Sequence, residues 1–218
     1  MMNTMSSESK KQKRLSEEVC KELYAKYETP ERVIKHCRAV GETGARIASA
    51  LNKAGYNFDV SLVRAAGLIH DLMRISDNHG EAAADLLESL GYMQEAKAVR
   101  NHMRYEFNAP ESITETDIFC LADRLVKEDE YVGIDERVDY LINKPGKTAE
   151  RTEILIEKRE ETKIFIKALE IRMGVKIDSL FRNDDSAKKI DRLLKRVEKP
   201  ARYIGSEKNI CKKKPQNK

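Results

Sequence analysis

The sequence predicts an all-α fold, a helical bundle with a C-terminal helical extension, and three observations carry that prediction. Charged residues make up 36% of the 218 residues, well above the roughly 25% of an average soluble domain. Helix breakers are scarce, with 10 Gly and 5 Pro. Apolar residues recur at the three-and-four spacing of a helix face along most of the chain. Such material suits long amphipathic helices and serves strands and tight turns poorly.

Each element follows from local signals. Thr29-Pro30 predicts a helix start, with Thr as N-cap and Pro at the first helical position. Val33, Cys37, Val40, Gly44, Ile47, Ala48 and Leu51 then keep helical spacing until Gly55, read as a left-handed cap. A second helix is expected from about Ser61 to Met73, and a third from Asp77 or Asn78 to Leu90, stopped by Gly91. A fourth is expected from about Met93 to Arg104, before a loop at Asn108-Ala-Pro-Glu-Ser112. Thr114 with Asp117 three residues on reads as a capping box that opens a helix to about Asp129. Pro145-Gly146 breaks the pattern. Thr148 then caps a long helix ending at Gly174, with Leu155, Thr162, Phe165, Ile166, Leu169 and Met173 along one face. A last helix is expected over about Ser186 to Val197, ahead of Pro200.

The expected organisation is a disordered basic tail over 1–14, a helical domain over 15–144, a helical extension over 145–200 and a second disordered basic tail over 201–218. Residues 1–14 hold four Lys/Arg against one Glu, and 200–218 hold six against one, so the chain's net +4 leaves 15–199 at −4. Basic charge is therefore read as belonging to the tails. No aromatic residue interleaves the last run, Cys211 to Lys218, and nucleic-acid binding is not expected. The longest apolar run, Ile118 to Ala122, is five residues, too short to span a membrane. The N-terminal stretch lacks the apolar segment of a secretory signal. Cys20, Cys37, Cys120 and Cys211 are widely spaced with no CxxC pair, which argues against a disulfide framework or a zinc ribbon. A reduced, cytoplasmic chain is expected, with Cys37 and Cys120 as core residues.

All four histidines lie between positions 36 and 102. His36 sits on the long capped helix, His70 precedes Asp71 near the end of the next, His79 starts the third and His102 ends the fourth. Asp123 falls in the apolar run Ile118-Phe-Cys-Leu-Ala-Asp123, where an unpaired carboxylate is costly to bury. Taken singly, each is more often a core or surface residue. Together, imidazoles and carboxylates on separate helices can converge on a divalent metal that neutralises Asp71 and Asp123.

The order His36 … His70-Asp71 … Asp123 resembles the H…HD…D signature of the HD-domain metal-dependent phosphohydrolases, an all-α superfamily. Ala65-Ala-Gly-Leu-Ile-His-Asp71 before the doublet and Leu121-Ala-Asp-Arg-Leu-Val126 around the last carboxylate support it. The resemblance covers about residues 28–135 and makes 15–144 a metal-binding domain of HD type. It implies that His36, His70, Asp71 and Asp123 ligate a metal. His79 and His102 resemble the extra histidines of members with a second metal, Asp71 bridging the two. The implied cofactor is a divalent metal, two ions per chain, drawn from Fe, Mn, Co, Ni or Mg; a nitrogen and oxygen cage without Cys suits these ions.

The implied function is hydrolysis of a nucleotide or other small-molecule phosphoester by a metal-bound hydroxide, with Asp71 and Arg74 as catalytic residues. Arg74, three residues after Asp71, resembles the basic residue that follows the doublet in this superfamily. Arg104, two after His102, and Lys127, four after Asp123, are further substrate-binding candidates. Their structural alternatives are a helix C-terminus for Arg74 and an Asp123–Lys127 ion pair. Two other functions stay open: a di-iron HD-type oxygenase of a small polar substrate, and a non-catalytic metal- or nucleotide-binding regulatory module. A homodimer through 148–173 also stays open.

Overall fold

The computed structural model describes residues 13–181. Ser16 opens α1 (Glu17–Lys26), its side chain accepting from the Val19 N–H. α2 (Glu31–Lys53) begins one residue later than expected: Pro30 holds the cap position in an extended conformation, and no side chain caps the helix. Thr29 does not cap; its hydroxyl donates to the Leu72 carbonyl at 3.1 Å. α2 ends as expected at Gly55, whose φ is +100°. The Gly55 N–H bonds Asn52 O and the Tyr56 N–H bonds Leu51 O, the paired closure of a Schellman motif.

Asp59 caps α3 (Val60–Ile69) by accepting from the Leu62 N–H at 3.0 Å. This helix stops at Ile69, not near Met73. Beyond it Leu72, Arg74 and Ser76 each bond the carbonyl three residues back, so the His70-Asp71 doublet lies on a string of tight turns. α4 (His79–Ser89) is closed by Gly91, again through a Schellman pair. α5 (Met93–Val99) is shorter than expected, and His102–Arg104 form a separate 3-10 turn.

The capping box holds: Thr114 and Asp117 bond each other's backbone N–H groups at the start of α6 (Glu115–Leu125). α6 ends four residues earlier than expected. The chain enters β1 (Val126–Lys127), turns at Glu128 with φ +54° and returns as β2 (Glu130–Tyr131). The strands are antiparallel, Val126 facing Tyr131 and Lys127 facing Glu130. α7 (Gly133–Ile142) follows, then α8 (Ala149–Met173), capped by Thr148 and closed by Gly174 at φ +69°.

α3 is buried almost all round and lies between α2 and α6. α8 packs on α7 and brings Phe165 and Leu169 into the core. Arg14 meets Asp59 at 2.6 Å, and Lys13 donates to the Leu90 carbonyl at 2.9 Å. The rest of the N-terminal tail, the helix expected over 186–197 and the tail 201–218 lie outside the described residues. No described helix is long and apolar enough to cross a membrane. The fold is all-α apart from the two short strands.

Candidate metal centre

Five segments meet at one point. α2 carries His36, the exit of α3 carries His70 and Asp71, α4 begins at His79, the 3-10 turn after α5 carries His102, and α6 carries Asp123 near its end. Two glycines allow the approach. A Cβ on Gly67 would lie 2.6 Å from the Gly41 backbone, so α2 and α3 touch through bare main chain. A Cβ on Gly80 would lie 3.0 Å from His102 Nδ1, so the start of α4 slides under that ring.

Three of the imidazoles are oriented alike. His36 Nδ1 lies 2.8 Å from the Glu128 carbonyl, His70 Nδ1 2.8 Å from Gly67 O and His102 Nδ1 2.8 Å from Val99 O. A carbonyl only accepts, so Nδ1 carries a proton in all three; Nε2 of His70 and of His102 then has no hydrogen-bond partner, whereas His36 Nε2 bonds Asp123 Oδ1. Those Nε2 atoms point at two carboxylates. His36 Nε2 is 3.1 Å from Asp123 Oδ1, and His70 Nε2 is 3.7 Å from both Asp123 Oδ1 and Asp71 Oδ2. His79 and His102 reach Asp71 Oδ1 at 3.1 and 3.6 Å.

Two groups capable of holding a metal ion result, His36–His70–Asp71 and Asp71–His79–His102, each with ligand atoms within 4.8 Å of one another. Asp71 belongs to both. His70 Nε2, His102 Nε2 and Asp71 Oδ1 are buried without a hydrogen-bond partner. Leaving three such atoms unpaired in one spot is expensive, and a cation shared among them removes the cost. The residues present therefore fit a divalent metal, and second-sphere carbonyls already fix the tautomers it needs.

Electrostatics agree with the geometry. Burial pushes the fully enclosed His70 down to about 4, so it is neutral at pH 7. Burial opposes charge on His36 too, but the Asp123 carboxylate outweighs it and raises the group. His102 is raised against burial by Asp71 and Asp123. Burial would raise both carboxylates, yet His70 beside Asp71 and His36 beside Asp123 hold them well below the usual range. Both are ionised at neutral pH.

Arg74 stands on the same cluster. Its Nη1 donates to His79 Nε2 at 2.9 Å and lies 3.5 Å from Asp71 Oδ1. The guanidinium thus stands in for a cation between two of the candidate ligands. Arg74, His36, His102, Asp71 and Asp123 open onto a cavity of about 820 Å³. Arg104 and Lys127 are not on its wall: Arg104 is exposed, and Lys127 pairs with Glu136 at 2.9 Å instead of with Asp123.

Eight Lys and Arg side chains but only four Asp and Glu line this cavity. Sequence reasoning missed most of those cations. Arg124 adjoins Asp123, yet only the fold shows it lying 4.3 Å over the Phe107 ring and donating to Thr162 Oγ1 at 3.0 Å. Arg137, Lys144, Lys147 and Lys158 come from α7, α8 and the turn between them. The one signal for them is the basic pair flanking Pro145-Gly146.

Residues 33–127 match the family model of the HD domain. A stretch of 65 residues is 42% identical to an uncharacterized protein of Methanocaldococcus jannaschii, covering 28% of this chain and 38% of that protein. No solved structure matches.

Proposed function

We propose that this chain, whose residues 33–127 match the HD domain, is a metal-dependent phosphohydrolase acting on a small phosphoester such as a nucleotide. One metal is held by His36, His70, Asp71 and Asp123, and a second by Asp71, His79 and His102. The observation that carries the reading is the trio of imidazoles locked through Nδ1 to backbone carbonyls, with their Nε2 atoms turned toward two ionised carboxylates and those of His70 and His102 left without a hydrogen-bond partner. A divalent metal bound there supplies Lewis acidity to phosphate oxygens and lowers the pKa of water. Fe, Mn, Co, Ni and Mg suit these nitrogen and oxygen donors.

The chain's own residues do the rest. Asp71 and Asp123 bring negative charge that a cation must balance, and the tied rings spare the reorganisation a free imidazole would need. Arg74 is placed to meet a phosphate oxygen at the cluster, where a fixed cation favours the charge that develops in the transition state. The domain of HD type is read as 15–144, with α8 as the start of the extension.

Metal content after anaerobic purification, with a phosphate-release screen of phosphoesters in the presence and absence of O2, tests the reading. Phosphate release that is abolished by chelation and indifferent to O2 is the expected result. Turnover that consumes O2 and frees no phosphate would replace it with the oxygenase reading, and metal without any turnover with the regulatory one.

A further inference from the structure

α7 and α8 divide their charges between two faces. Away from the cavity, Asp135 meets Lys163 at 2.8 Å, Asp139 meets Arg159 at 2.5 Å and Glu136 meets Lys127 at 2.9 Å. On the cavity wall stand Arg137, Lys144, Lys147 and Lys158, and none of the four is in an ion pair among the described residues. Arg137 Nε is buried with no hydrogen-bond partner. Lys158 is pushed below its ordinary pKa by burial and by the neighbouring Arg124. Like charges gathered around one concavity repel, the more so where solvent is partly excluded.

Lys144 and Arg137 lie 4.5 and 6.0 Å from the centre of the Tyr140 ring, but no carboxylate pairs with any of the four among the described residues. Of the four carboxylates on the wall, Asp71 and Asp123 face the imidazoles, Glu128 accepts from the Tyr140 hydroxyl at 3.1 Å, and Asp129 is exposed on the hairpin turn. The cavity, at about 820 Å³, is in the size range of sites that enclose a whole small molecule, far more than one phosphate needs. Positive charge in a concave wall also focuses the field on an incoming anion. All four cations lie outside residues 33–127, the stretch that matches the HD domain.

We propose that this wall is a second anion subsite, and that the substrate is a small molecule with two separated phosphate groups. One phosphate meets the His/Asp cluster; the other rests on Arg137, Lys144, Lys147 and Lys158. The inference relies on the phosphohydrolase reading for events at the cluster and on the wall alone for what is held beyond it.

The test uses the purified full chain with its metal and two ligand pairs: adenosine 5′-monophosphate against adenosine 3′,5′-bisphosphate, and fructose 6-phosphate against fructose 1,6-bisphosphate. kcat/KM is compared for those turned over, and calorimetric binding for those that are not. The expected result is a preference of tenfold or more for at least one bisphosphate. It falls by at least tenfold in Lys144→Ala/Lys147→Ala and in Arg137→Gln, with circular dichroism confirming the fold. Lys167→Ala, an exposed change on α8 away from the cavity, keeps the preference. A bisphosphate preference by binding, lost in the variants while no ligand is hydrolysed, upholds the subsite and overturns the hydrolase reading. Hydrolysis without any such preference, or with one the variants leave intact, overturns the subsite and spares the hydrolase reading. Failure of the wild type to bind or turn over any of the four also overturns it.

Discussion

Gly67 and Gly41 meet main chain to main chain, so closely that a Cβ on Gly67 would fall 2.6 Å from the Gly41 Cα. Gly67 also offers its carbonyl to His70 Nδ1 at 2.8 Å. One residue therefore sets both the spacing of α2 and α3 and the tautomer of a candidate ligand. Gly67→Ala must drive the helices apart, at a cost of about 1–3 kcal/mol of the kind seen when a packed core is overfilled. Chemical denaturation should show the loss of stability, and metal analysis of the folded fraction should show weaker retention, because His36 and His70 move with their helices. A variant as stable as wild type and fully metallated would contradict the close contact.

His70→Ala and Asp71→Ala should each abolish metal retention and turnover, since neither has a spare group beside it. His102→Ala should lose one of two ions and His79→Ala weaken the same one. Elemental analysis of the four purified variants checks this directly. Four variants with wild-type metal content would remove the cluster from consideration as a metal centre.

Arg74→Ala should lower kcat/KM on phosphoesters by an amount equivalent to about 2–4 kcal/mol of transition-state stabilisation. Metal content should stay at or above that of wild type, because the variant removes a cation from between His79 and Asp71. An unchanged kcat/KM would leave Arg74 with a structural role alone.

Asp59 gives a pH signature remote from the metal centre. Burial works to raise its carboxyl, but Ser61, Arg14 and the Leu62 N–H hold it down, from the ordinary 3.8 to about 2. The unfolded chain therefore takes up a proton at a pH where the native state still holds the carboxylate. The stability this contributes is fully present above about pH 4 and is lost as pH falls toward 2. Asp59→Ala should cost about 1 kcal/mol at pH 7, the usual value of an N-cap, Arg14 adding little at a partly exposed, salt-screened site. In thermal melts the gap to wild type should narrow below pH 4. A gap constant with pH would mean that the charge contributes nothing.

Much of this was legible from short stretches of sequence. The capping box at Thr114 and Asp117, the Thr148 cap and the closures at Gly55, Gly91 and Gly174 are local devices, and the structure holds them where the sequence puts them. The match to the HD domain was legible too, since residues 33–127 contain the whole order His36, His70-Asp71, Asp123. The helix ends at the site were harder. α3 stops at Ile69 and α5 at Val99, where His70 and His102 each bond the carbonyl three residues back, and nothing in the composition announces that. α6 gives way to a hairpin turning on Glu128 with positive φ, a place where Gly or Asn is the usual sign.

The cationic wall was hidden by averaging. A net charge of −4 over 15–199 is consistent with a strongly positive cavity once Asp135, Glu136 and Asp139 are seen to be occupied elsewhere. Charge summed along a chain reports solubility, whereas binding depends on which charges share a concavity.

Glu128 links the two halves of the site through opposite ends of one residue. Its carbonyl holds the His36 ring at 2.8 Å, and its carboxylate accepts from Tyr140 of α7 at 3.1 Å. A molecule that draws α7 toward it pulls on the hairpin that aims His36, and an ion that fixes His36 braces the same hairpin from the other side. Where a metal and a ligand both bind, this residue would couple the two affinities, each altering the other by the same factor.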